Sequence, residues 1–313
     1  MKKVSIVLIP LLLAISYSVF WTPQKIKYSF YHWQSTYQVK GDATPHYVKV
    51  LDVDYRETLN YRETAFKQTP KANIVPTLYL DNSIWKKMKP KTMVNKVINS
   101  LEKMPIHYDE IQVDCDWTDS TKLSYFKFLK LLKEHSKKRV SATIRLHQVK
   151  YHEKTGIPPV DYGVLMYYNM SDFQDLETKN YILDLDIAKQ YHYNFKSYSL
   201  PLNLALPIYS QATIIRFSKV VGLVDGIREK ELTKNFQKVG QHLYKVTKTH
   251  YFKRKLYYKG DKLRVDEVSV ELLQKSIDGL KKIMPRPKEI IFYRWANRTH
   301  YKKQVFDNMV TSW

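Results

Sequence analysis

Eight short runs rich in β-branched and aromatic residues lie along residues 28–295, with helix-like stretches between them. They are Tyr28–Tyr37, Tyr47–Tyr55, Ile74–Leu80, Glu110–Trp117, Val140–Leu146, Tyr162–Tyr168, Leu200–Tyr209 and Glu289–Trp295. Lys91–Met104 and Lys122–Ser136 space their apolar residues three and four apart, the period of a helix with one buried face. Tyr181–Tyr191 reads as a further helix. Strands alternating with helices predict an α/β chain closed as a (β/α)8 TIM barrel. Ahead of the eighth strand the chain runs long. Alternation over His242–Val265, around the turn sequence Tyr258-Lys-Gly-Asp261, predicts a small α+β or β-hairpin insertion over about residues 235–266. A helix over Ser269–Met284 then stops ahead of Pro285 and Pro287.

The fourth run carries the strongest chemical signal. Strand side chains alternate, so Gln112, Asp114, Asp116 and Thr118 share one face while Ile111, Val113, Cys115 and Trp117 share the other. Carboxylates on a buried strand are costly without partners or a task, and the C-terminal ends of barrel strands are where such tasks gather. The other strand ends add Asp52 and Asp54, expected on the face of Val48 and Val50, then Asp81, Arg145, His147, Tyr167, Tyr168, Asn169, Tyr209, Tyr293, Arg294 and Trp295. Acids and aromatic rings around one mouth suit a carbohydrate cleft: carboxylates act at an anomeric centre, and rings pack on sugar faces. The expected catalytic set is Asp114, Asp116, Asp54 and Tyr168. Asp114 or Asp116 would stabilise positive charge, Asp54, Asp52 or Asp81 would supply a proton, and Tyr168 would orient the substrate. Asp52, Asp81, Arg145, Asn169, Tyr209, Arg294 and Trp295 are the expected binding residues, with either arginine able to hold a carboxylate ionised or meet an anionic sugar.

Composition narrows the alternatives. The formal net charge is +22, and Ser210–Trp313 holds 23 Lys and Arg against 10 Asp and Glu. A basic surface favours anionic partners, yet neither zinc-finger spacing nor an RNA-recognition signature is present, so no nucleic acid is expected. Cys115 is the only cysteine, which rules out an intrachain disulfide. None of the 10 histidines is four residues from another, and the chain has no Gly-rich phosphate loop and no G-x-S-x-G elbow. No cofactor and no metal are expected; a divalent cation held by Asp52, Asp54, Asp114 and Asp116 is the alternative. Lys2 and Lys3 precede an apolar run, Val4–Trp21, that reads as a signal peptide or membrane anchor over residues 1–24. An exported protein with a single barrel domain over residues 25–313 is expected.

The strand-four, strand-six and strand-seven motifs resemble glycoside hydrolase family 18, the chitinase-type barrels. Val113-Asp-Cys-Asp-Trp-Thr118 resembles that family's D-x-D-x-E run, Met166-Tyr-Tyr-Asn169 its M-x-Y-D and Leu206-Pro-Ile-Tyr209 its P-x-Y. Trp295 stands where the family has a substrate-floor tryptophan, and the insertion where it often has an α+β subdomain. The resemblance implies that Asp116 and Tyr168 keep the positions of the substrate-assisting pair. Two departures matter: the general-acid Glu position is Thr118, and the sixth-strand Asp is Asn169. A threonine hydroxyl cannot deliver a proton near neutral pH as a carboxylic acid can. Any hydrolysis would therefore use the strand-end aspartates, and the alternative is a catalytically inactive, lectin-like glycan binder. The chain as a whole resembles bacterial domain-of-unknown-function family 3142, on its FYHWQSTY, KVLDVDY, IQVDCDWT and LPIYS stretches.

Overall fold

Residues 25–41 and 44–313 are described by a computed structural model. The leader expected over residues 1–24 lies outside them. No helix among the described residues is long and apolar enough to cross a membrane.

Eight parallel strands close on themselves: β1 (Lys27–His32), β2 (Tyr47–Tyr55), β3 (Val75–Leu80), β4 (Glu110–Asp114), β5 (Arg139–Arg145), β6 (Tyr162–Met166), β7 (Leu202–Pro207) and β8 (Glu289–Tyr293). Each pairs with its sequence neighbours, and β1 joins both β8 and β2 to complete the ring. The expected (β/α)8 TIM barrel is therefore the fold. Helices α1 (Pro90–Lys103) and α2 (Lys122–Ser136) pack the outer wall through Met93, Val97 and Leu101 and through Tyr125, Phe128 and Leu132. Proline suits the first turn of α1, where its missing N–H costs nothing. Of the helix expected over Tyr181–Tyr191, only the short α3 (Leu185–Lys189) forms, capped by the Asp184 carboxylate.

The barrel interior is polar at its base. Tyr47 donates to Glu289 at 3.0 Å with its oxygen 3.0 Å from that of Tyr162, while Tyr162 and Ser141 both donate to Glu110. One layer higher, the Tyr31 hydroxyl donates to Gln112 at 2.7 Å. Partnered in this way, buried polar groups avoid the penalty of lost hydration.

One irregularity repositions charge. Lys49 is level with Thr77 but Leu51 is level with Leu78, so Val50 is an extra residue bulged out of β2. The Thr64 amide and hydroxyl donate to the carbonyls of Val50 and Lys49 at 2.9 and 2.7 Å, satisfying the bulged backbone. The alternation reverses there. Asp52 and Asp54 therefore do not share the face of Val48, as simple alternation predicts; they share the inward face of Lys49.

Between β7 and β8 the insertion starts at Ser210, earlier in the chain than expected. Its strands Ser210–Arg216, Lys219–Asp225, Phe236–Gly240, Leu243–Val246 and Lys262–Glu267 form an antiparallel sheet. A hairpin of His250–Phe252 with Lys255–Tyr257 covers one face of the sheet over a separate small core of Ile214, Phe236, Val246 and Tyr257. Helix α4 (Val270–Leu280) follows, its first turn capped by Ser269, whose hydroxyl accepts from the Leu272 amide at 3.1 Å.

Candidate functional site

Six aromatic side chains from five strand ends meet at the C-terminal mouth. Tyr293 is the hub: its ring stacks on Tyr168 at 5.3 Å and 12°, and meets Tyr31, Trp33 and Tyr209 edge-on at 6.2, 6.0 and 5.4 Å. Trp33 in turn meets Tyr79 at 6.4 Å, and the Lys49 ammonium lies 5.5 Å from its ring. The arrangement follows from strand alternation, since Tyr31 and Trp33 are two residues apart and so share a face. Trp33, Tyr79 and Lys49 were not among the candidates drawn from the sequence. The spacing from Tyr31 carries the signal for Trp33, whereas the Val50 bulge hides Lys49.

Asp114 ends β4 inside this ring of aromatics. The Thr143 hydroxyl, on the neighbouring strand, donates to it at 2.6 Å. Burial, with the Asp116 charge beside it, pushes the Asp114 carboxyl up to about 6, although Thr143, Arg145 and Lys49 pull the other way. Asp116 lies further out and is half exposed, gripped by the Arg145 guanidinium through two hydrogen bonds. The Tyr79 phenol is pushed up to about 12, first by burial and then by the charges of Asp81, Asp114, Asp116 and Asp52. The Tyr168 phenol is likewise raised by burial, and Tyr293 and Asp114 add to the shift.

Other candidates have different occupations. Arg62, on the antiparallel strand Leu59–Glu63 beside β2, donates to Asp52 at 2.7 Å and to Asp54 at 2.6 Å. Asn60 also donates to Asp54, and these contacts hold its carboxyl below the usual range. Asp54 is thus poorly suited to give up a proton. Asp81 accepts from the Ser83 amide at 2.8 Å and caps the short helix Asn82–Lys86. Asn169, in the left-handed region at φ 55°, accepts from the Tyr209 hydroxyl. Arg294 reaches out of the mouth to Asp225 of the insertion at 3.1 Å. Trp295 leaves the group altogether. Strand β8 ends at Tyr293, and Trp295 opens the helix Trp295–His300 and packs edge-on against Phe30, whose ring faces the outer wall. Arg298 lies over the Trp295 ring at 3.5 Å. The eighth-strand ring of the mouth is therefore Tyr293.

Thr118 belongs to a hydroxyl cluster with Ser120 and Thr121 and accepts from the Asn82 amide at 3.3 Å. Among the described residues no group of three or more His, Cys, Asp or Glu side chains is arranged to hold a metal ion. Of the four acids of the cation alternative, Asp52 and Asp54 pair with Arg62, Asp116 with Arg145, and Asp114 accepts from Thr143.

No family model matches the chain, and no curated protein matches it. Among solved structures it is similar to the spore cortex-lytic enzyme SleL of Bacillus cereus, at 12% identity over 92% of this chain and 74% of that one, with a TM-score of 0.55. It is also similar to a chitinase from Chromobacterium violaceum, at 10% identity over 92% of this chain and 98% of that one, with a TM-score of 0.52. At these identities the likeness is one of fold, that of the chitinase-like (β/α)8 barrels.

Proposed function

We propose that the barrel mouth binds a carbohydrate and that Asp114 is its proton-carrying group. The observation behind this is the setting of Asp114: a carboxyl raised to about 6, walled by Trp33, Tyr79, Tyr168 and Tyr293, beside an Asp116 fixed by Arg145. A sugar ring would stack on the aromatic wall. Protonated Asp114 would donate to the glycosidic oxygen, and Asp116 would stabilise the positive charge that develops at the anomeric carbon. The proton role moves to Asp114 because Arg62 and Asn60 keep Asp54 ionised. The chain is an exported member of the chitinase-like barrels in which Thr118 replaces the general acid.

A glycan hydrolysis screen with the purified protein tests this. Turnover that falls at least about a hundredfold in Asp114→Asn supports the assignment, since general acids contribute on that scale. Turnover indifferent to Asp114→Asn and Asp116→Asn would sink it. The hydroxyl cluster at Thr118 favours a second reading, a binder without turnover. In that case glycan binding measured by calorimetry is expected without hydrolysis, and Tyr293→Ala is expected to weaken it about tenfold through lost stacking.

A further inference from the structure

The insertion uses all of its acidic residues internally or at its junction with the barrel. Asp225 pairs with Arg294, Glu229 with Lys238 and His242, Glu231 with Lys253, Asp261 with Arg216, Asp266 with Arg264 and Glu267 with Arg228. Among the described residues Lys219, Lys230, Lys234, Lys245, Lys248, Arg254, Lys255, Lys259 and Lys262 of the insertion are left without an ion pair. Five of these, Lys219, Lys245, Lys248, Lys259 and Lys262, gather at one end. Lys219 closes the hairpin whose strand Ser210–Arg216 leads away from the barrel, Ile215 of that strand is level with Lys262, and Lys262 is level with Lys245. The segment carrying Lys248 and Lys259 joins the same edge, through the Lys259 amide on the Thr249 hydroxyl and the Val246 amide on the Asp261 carbonyl. The one acid there, Asp261, is 2% exposed and held by Arg216.

Two further features mark this end. Lys245 and Lys262 face each other directly across the strands, an arrangement that costs stability without a counter-charge. The hairpin turn Phe217-Ser218 presents an aromatic ring that is 93% exposed, at a position where Asn or Gly is the usual choice, and Tyr258 beside the lysines is 47% exposed.

We propose that this end of the insertion docks on an anionic lipid bilayer, with the lysine ammoniums on headgroup phosphates and the Phe217 ring among the first acyl carbons. A soluble polyanion would satisfy the lysines but leave Phe217 in water. A bilayer satisfies both, because basic side chains and one apolar ring add their contributions at the interface. This surface is independent of the sugar-binding proposal, since no residue of the mouth takes part.

The test is co-sedimentation of the full chain with phosphatidylcholine vesicles made with and without phosphatidylglycerol. All variants share residues 1–24, so differences between them report on the lysine end. The protein is expected to prefer the anionic vesicles. Lys245→Glu/Lys262→Glu should weaken that binding at least tenfold, and Phe217→Ser about tenfold. Lys245→Glu alone turns a like-charged pair into an opposite one, so its melting temperature should hold or rise while anionic-vesicle binding still falls. That pairing of results separates lost docking from lost folding. The proposal is overturned if the preference survives the double substitution. It is equally overturned if Phe217→Ser binds as well as the parent, or if inorganic polyphosphate competes as strongly in Phe217→Ser as in the parent.

Discussion

Asp114→Asn yields a protein that is more stable than the parent at pH 8, by up to about 3 kcal/mol, and equal to it near pH 4. The size follows from moving a carboxyl from 3.8 to about 6, at roughly 1.4 kcal/mol per unit. The sign follows from the raised value. The folded state holds the Asp114 proton more tightly than the unfolded chain does. Its contribution is therefore fully present below the unfolded value and is lost as pH rises through about 6. An amide oxygen can still accept from Thr143, so the substitution removes the charge and keeps the bond. Urea unfolding at a series of pH values measures this, and a gap that does not widen between pH 4 and 8 would show that Asp114 ionises freely. The same variant should lose any hydrolysis. Opposite effects on stability and turnover are expected when a site holds a charge at the expense of the fold.

Arg264→Met is expected to cost about 3–5 kcal/mol, because it strands a buried charge. Arg264 is 4% exposed and Asp266 is wholly buried. The guanidinium pairs with Asp266 at 3.3 Å and donates to the carbonyls of Asp175 and Phe173 at 2.8 and 3.1 Å. Asp266 also accepts from the Tyr181 amide at 3.2 Å. This one side chain therefore ties the insertion to the loop after β6 that carries Asn169. Burial already raises the Asp266 carboxyl, with Arg264 countering it, and removing Arg264 leaves the burial unopposed. The variant's deficit should accordingly shrink as pH falls through the carboxylate range. Arg264→Met/Asp266→Asn should recover much of the loss, since an amide carries no charge to leave unpaired. A single variant within 1 kcal/mol of the parent by urea unfolding, at the low end of mutational costs, would remove this joint from consideration.

The eight strands were legible because parallel barrel strands are buried on the helix side and write themselves as short apolar runs. The insertion was legible only from its later half. Its first hairpin, Ser210–Asp225, follows directly on β7, so a run of strand-like residues gave no signal of having left the barrel. At the site, Asp114, Asp116, Arg145 and Tyr168 do converge, because each lies at or just past a strand end with regular alternation behind it. Trp295 does not. The alternation stops at Tyr293, and a residue that opens a helix no longer follows the strand's inward and outward sequence. Arg62 was invisible as a partner of Asp52 and Asp54, because its strand joins β2 in a pairing that a repeating strand–helix pattern does not include.

The extra residue at Val50 governs how this chain must be compared with any other barrel. Numbering the second strand by simple counting puts every position after Val50 out of step by one, so that acids lining the cavity are matched to greasy wall positions. Deleting that single valine would turn the strand into plain alternation with Lys49, Asp52 and Asp54 still on the inward side, so the deletion should be tolerated by the acids and felt only where Thr64 caps the bulge. The inventory of side chains at the mouth is thus read correctly only when that residue is skipped in the count.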